Sequence, residues 1–155
     1  MTITIKNLFR LSFVFLLAGF MIACSKDDDK KVPTPGGSDK DALVTYPWRL
    51  IDVTDVNGNK IPENKLDVTT NFLFELNFAF AANNTVKAQD KTGQVQNGGT
   101  WYLKEDNKIL DIDVSGFKGQ FEIKALSNSK MSLQNDLKVG GVDQKGILVF
   151  APVIR

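Results

Sequence analysis

Cys24 is the only thiol in the 155 residues, and the chain contains no histidine. Without histidine there is no imidazole general base, no His-assisted serine or cysteine nucleophile and no imidazole metal ligand. A lone cysteine cannot staple a domain. Carboxylates are the catalysts that remain. Asp111 and Asp113 stand two apart, about 7 Å between Cα atoms on a strand, a spacing that superficially suits a glycosidase pair. Leu110, Ile112 and Val114 alternate with them and claim the interior, so the two aspartates are expected to face solvent. Asp52, Asp55, Asn57 and Asn59 surround Gly58, but that glycine comes too early for an EF-hand loop, and a turn explains them better. Gly98-Gly99 has neither the following Lys-Ser/Thr of a phosphate loop nor a helix to supply amide donors, and reads as a turn or bulge.

The stretch that positions Cys24 lies just before it. Lys6 and Arg10 supply a positive n-region, Leu11 to Ile22 an apolar h-region and Ala23 the small residue at the cut, which is the build of an export signal over residues 1–23. Its apolar run is about a dozen residues, short of the roughly 20 that a transmembrane helix needs. Met21-Ile22-Ala23-Cys24 resembles the lipobox of bacterial lipoproteins, with Met21 where leucine is usual. The resemblance implies a lipidated Cys24, cleavage before it and acylation (palmitate) of the new amino terminus. Two or three acyl chains meet the requirement for stable anchoring, so a membrane is the first expected partner. With that thiol lipidated, zinc and redox sites fail as well. Ser25 followed by Lys26-Asp27-Asp28-Asp29 resembles the acidic surface-export signal on lipoproteins of gut-dwelling Gram-negative bacteria, which implies the outer membrane, facing outward; the alternative is that the acids only keep the tether solvated.

Residues 24–41 are expected to form the lipidated cysteine and a linker of Lys, Asp, Pro, Gly, Ser and Thr with one valine, too polar to bury anything. As a flexible coil it would hold the domain roughly 20 to 25 Å from the anchor. Residues 42–155 are enough for one modest domain with a core and too few for two. Removing Lys6 and Arg10 with the leader leaves 17 basic against 18 acidic side chains, with the signs interleaved, so nucleic acid has no basic stripe to bind.

Within that domain the hydrophobic period is two almost everywhere, the mark of strands with one buried face. The clearest run places Phe72, Phe74, Leu76, Phe78 and Phe80 on one face. Asn83-Asn84 then signals a turn, because Asn tolerates positive φ, into a strand with Val86 and Ala88 inward. Further strands are expected at Gly99–Lys104, Lys108–Val114, Phe117–Leu126, Lys130–Gln134 and Gly146–Ala151, with an opening one near Thr45–Val53. Only Ile61–Thr69 breaks the rhythm, and Pro62 suits the first turn of a short helix or lid there. The fold class is therefore all-β: eight antiparallel strands in sequence would expose two sheet edges unless they close, which makes a meander barrel the economical architecture. An open or flattened sandwich is the alternative.

Tyr46-Pro47-Trp48-Arg49-Leu50, Leu76-Asn77-Phe78 leading through Asn83-Asn84-Thr85, Gly98-Gly99-Thr100-Trp101-Tyr102-Leu103, and Phe121-Glu122-Ile123 to Ala125-Leu126-Ser127 resemble the bacterial lipocalin-like lipoprotein domain over nearly the whole of residues 42–155. The resemblance implies a barrel in which Trp48 plugs one end. This chain has Tyr46 in place of the glycine of the lipocalin Gly-x-Trp, and no helix follows its last strand.

An eight-stranded barrel is just wide enough to be filled by its side chains or to hold one small ligand. The large aromatics weigh toward filling; if a mouth stays open, Trp48, Phe72, Phe74, Phe78, Phe80, Trp101, Phe121 and Phe150 are the residues expected to line an apolar pocket beneath the lid. The expectation carried forward is a membrane-anchored, surface-exposed, non-enzymatic lipoprotein that needs no metal or cofactor and takes a small apolar ligand in its barrel. The alternative is a filled barrel whose loops or outer face, Tyr102 included, contact an envelope protein or a glycan.

Overall fold

The alternation of buried and exposed residues produces one continuous antiparallel sheet. The computed structural model describes residues 39–154; the leader, Cys24 and the polar stretch to residue 38 lie outside the described residues. Within them the order is α1 (Asp39–Thr45), β1 (Trp48–Asp55), a 3-10 turn (Glu63–Lys65), α2 (Val68–Leu73), β2 (Asn77–Phe80), β3 (Thr85–Gln89), β4 (Val95–Lys104), β5 (Ile109–Val114), β6 (Phe117–Ser127), β7 (Lys130–Val139) and β8 (Val142–Pro152). Each strand pairs with the next, and β1 pairs with β8 to close an eight-stranded barrel. The meander expected from the sequence is thus the fold. Closure covers the sheet edges except where β1 runs past its two-residue pairing with β2.

Long hairpins hold most of the wall, from β3 through β8 and on to β1, whereas β1 and β2 meet over Trp48↔Phe78 and Arg49↔Asn77. A bulge at Ile51 resets the phase of β1: Leu50 and Val53 both point inward, and Ile51 is thrown out to solvent. The side chains turned inward form one core that includes Trp48, Leu50, Phe78, Val86, Ala88, Trp101, Leu110, Ile112, Met131, Leu133, Leu148 and Phe150. Among the described residues the sheet closes around one hydrophobic core, so residues 39–154 are expected to fold as a unit.

Two expectations change. Phe72, Phe74 and Leu76 alternate like a strand, but β2 begins only at Asn77 and the preceding residues coil into α2. The Asp67 carboxylate caps that helix by accepting the Thr70 N–H at 2.8 Å, and Leu66, Thr70 and Leu73, spaced four and three apart, are its buried face. Phe72 consequently points outward, and Phe74 sits half-buried at the helix end. The lid expected at Ile61–Thr69 exists, displaced toward the C-terminus. The other change concerns Gly98-Gly99, which is no turn but mid-β4; the bulge in this strand lies near Gln96. A Cβ on Gly99 would stand 1.9 Å from the Asp113 carbonyl oxygen, so glycine is what lets β4 lie against β5 there.

Helix α1 is an addition: its first residues, Asp39 to Asp41, belong to the stretch read as linker, while Ala42 and Leu43 are buried.

Candidate functional site

The up-and-down order sorts the connections to two ends. The start of β1, the end of β8 and the β2–β3, β4–β5 and β6–β7 turns share one end with α1; the crossing that carries α2, together with the β3–β4, β5–β6 and β7–β8 turns, forms the other.

Among the described residues the α1 end is packed shut. Leu43 is fully buried, and its carbonyl accepts the Trp48 indole N–H at 2.9 Å. Trp101 donates its indole N–H to the carbonyls of Ala81 and Thr85, both at 3.1 Å, and packs edge-on to Phe80. The Lys40 ammonium sits 5.7 Å from the Trp101 ring centroid, within cation–π range. Both indoles are thus buried with their polar tips satisfied, the condition under which tryptophan packs without a desolvation penalty. The Val153 N–H closes this end by donating to Pro47 O at 2.7 Å.

The α2 end is different. A cavity of about 290 Å³ opens there between the lid, the β5–β6 turn and the upper parts of β6, β7 and β8. Leu73, Phe117, Phe121, Leu137 and Leu148 supply apolar walls, Asn135 and Thr70 polar ones, and Asp67, Lys118, Asp136, Lys138 and Asp143 stand around it. Beneath it Phe117 packs at a tilt against Phe78 at 4.7 Å and Phe121 at 4.8 Å, with Phe150 at 6.0 Å, so the barrel is filled below and open above. The lid is fixed at one side: Leu66 bridges Val139, and the Gly140 N–H donates to Lys65 O at 2.7 Å. Asn71 ties the 3-10 turn to α2 through its amide, donating to the Glu63 carbonyl.

Of the eight residues named from sequence as pocket lining, Phe121 borders this cavity. Trp48, Phe78, Phe80, Trp101 and Phe150 are buried but do not border it; they are packed core rather than cavity wall. Phe72 is 51 % exposed on the lid's outer side, a correction to its inward assignment, and Phe74 packs on the core's margin. Sequence reasoning missed Leu73, Leu137 and Leu148 as lining, and it placed Phe117 inward without assigning it to a site. The i, i+3 and i, i+4 spacing behind Asp67 was the available signal for Leu73.

The remaining candidates behave as surface groups. Asp111 pairs with Lys104, and Asp113 with Lys118 at 3.0 Å, on the outer wall. They flank a depression of about 220 Å³ beside Thr100, Tyr102, Lys118 and Gln120, where Tyr102 is half exposed. The Asp55 carboxylate folds its own turn by accepting from the Asn57 and Asn59 N–H groups, each at 2.8 Å, which is the turn expected there. Its pKa is held below the ordinary value chiefly by the Asn59 side-chain amide. Asp90 does the same for the β3–β4 turn, lowered first by the Thr92 hydroxyl. Among the described residues no three His, Cys, Asp or Glu side chains are grouped to hold a metal ion.

No protein-family model matches the chain, and no curated protein resembles it. Among solved structures, a lipocalin-like protein from Bacteroides uniformis aligns over 72 % of this chain and 99 % of its own, at 16 % identity and a TM-score of 0.48. The barrel described above rests on this chain's own strand pairing.

Proposed function

We propose that the protein is an exported lipoprotein, anchored through Cys24 in the outer membrane with its barrel facing outward, and that it binds a small apolar ligand without catalysis. The observation that carries the binding part is the contrast within one barrel: a packed lower core and an apolar-walled cavity of about 290 Å³ at the lid end. That volume is near the small limit of ligand sites, roughly 300 to 1,000 Å³. The anchoring part is supported by the leader pattern and by the position of the single cysteine directly after Ala23.

A second reading has one observation behind it, the outer-wall depression beside Tyr102, which offers an exposed ring among hydrogen-bonding side chains. It corresponds to a filled barrel whose partner is a glycan or an envelope protein.

Thermal unfolding of the soluble chain from Ser25 to Arg155, with fatty alcohols, fatty acids, sterols, bile acids and oligosaccharides, separates the two. Ligand at a hundred times its dissociation constant adds about 2.7 kcal/mol, a midpoint rise on the order of 10 °C for a domain of this size. A rise with an apolar compound supports the mouth site; a rise with a sugar alone contradicts it in favour of the outer wall. For the anchor, Cys24→Ser is expected to release the protein from the membrane fraction, and retention there would contradict the lipid attachment.

A further inference from the structure

Strand β7 turns Met131, Leu133 and Leu137 into the barrel, all of them buried. Asn135 has the same phase and borders the lid-end cavity, which makes it a polar side chain in an apolar row. Its neighbours make room for it. On β8 its register partner is Gly146, and on β6 a Cβ at Gly119 would stand 3.4 Å from the Asn135 Nδ2 and 3.8 Å from the Phe121 ring. A larger residue at Gly119 would crowd the amide.

The orientation of that amide is fixed by chemistry. The Asp136 N–H donates to Asn135 Oδ1 at 2.8 Å, and a backbone N–H can meet only an acceptor. Nδ2 is therefore on the other side of the group, and it has no acceptor among the described residues. The cavity thus presents a hydrogen-bond donor beside Gly119. The charges around it narrow the ligand further. Lys118 is engaged by Asp113 at 3.0 Å, Lys138 by Asp143 at 3.4 Å and Lys145 by Asp136 at 3.2 Å, and the Asp67 carboxylate that caps α2 stands at the same rim. An anionic head group would find these ammonium groups already engaged and the Asp67 carboxylate beside it.

Resting on the reading of this cavity as the binding site, we propose that Asn135 is its specificity-determining residue. It donates through Nδ2 to the oxygen of an uncharged amphiphile (an alcohol, ketone or ester) whose hydrocarbon part lies against Leu73, Phe117, Phe121 and Leu148. A ligand without that oxygen leaves the donor unpaired once water is displaced, and selectivity against it follows.

The test displaces Nile red from the Ser25–Arg155 chain with decan-1-ol, decanoate and decane, in the wild type, Asn135→Asp and Asn135→Leu. Asn135→Asp keeps an oxygen for the Asp136 N–H but removes the donor; Asn135→Leu continues the apolar row. Unfolding midpoints identify any variant that has lost its fold. Wild type is expected to favour decan-1-ol over decanoate, and both variants to lose roughly threefold to tenfold in decan-1-ol affinity, the worth of one neutral hydrogen bond, while Asn135→Leu holds decane as well as wild type does. Equal decan-1-ol affinity in wild type and both variants, with Nile red still bound, overturns the role of Asn135 and leaves the cavity reading standing. Failure of wild type to bind Nile red or any of the three compounds overturns the cavity reading and this assignment with it.

Discussion

The two ends of the barrel are built from the same kind of strand and hold opposite kinds of interior. At the α1 end two tryptophans, each 0 to 1 % exposed, are tied by their indole N–H groups to backbone carbonyls, and Leu43 fills the remaining space. At the α2 end the phenylalanine cluster stops at Phe117 and Phe121, and a six-residue helix lies beside a cavity instead of filling it. An eight-stranded barrel permits either outcome. What differs is the size of the inward residues near each rim: two indoles close the α1 end, whereas α2 contributes the smaller Thr70 and Leu73 and leaves space beside Phe117 and Phe121.

The strongest way to break this contrast is Trp48→Ala. Removing a fully buried indole and its hydrogen bond to Leu43 is expected to lower stability by about 3 to 5 kcal/mol in urea unfolding; a loss below about 1 kcal/mol would show that the sealed end is not tightly packed. Asp67→Ala removes the cap of α2 and is expected to cost about 1 kcal/mol. Because that helix borders the cavity, its effect on ligand affinity should exceed its effect on the unfolding midpoint, which a titration alongside the melt checks.

Acid sharpens the comparison more gently. Asp55 and Asp90 each hold an α2-end turn, and both have folded-state pKa values depressed below 3.8, Asp55 first by the Asn59 side chain and Asp90 first by the Thr92 hydroxyl. A depressed pKa contributes stability that is present above the unfolded value and is lost as pH falls through the folded one. Hydrogen exchange at the Asn59 and Gln94 amides should therefore speed up below about pH 3.8 before exchange at Trp48 or Met131 does; simultaneous loss would contradict it. The smallest effect belongs to Phe72→Ser, expected within about 0.5 kcal/mol of wild type because the ring is half exposed. A loss comparable to that of Trp48→Ala would restore Phe72 to the core.

Much of the wall was legible in the sequence because burial on one face forces a period of two: Val86 and Ala88, and Leu110, Ile112 and Val114, all point inward as their alternation requires. Asn84 carries a positive φ of 65° at the turn where Asn83-Asn84 marked one. The misreading came where two periods overlap. Phe72, Phe74 and Leu76 fit a strand and Leu66, Thr70 and Leu73 fit a helix, and the Asp67 cap decides for the helix. Helix α1 was hidden by its acidic opening, which resembles the linker before it. Of the cavity, its place beneath the lid and its Phe121 wall were legible, and the rest was not. It depends on which inward residues from α2, β6, β7 and β8 converge at one rim, and on glycines at 119 and 146 whose importance lies in what stands next to them.

The most direct test of the central claim is an amide chemical-shift map of the Ser25–Arg155 chain saturated with decan-1-ol. Shifts are expected at Leu73, Phe117, Phe121, Asn135 and Leu148, with Trp48, Trp101 and Leu43 unmoved. Shifts centred on the tryptophans, or on Tyr102 and the outer wall, would contradict the account of a barrel sealed at one end and open at the other.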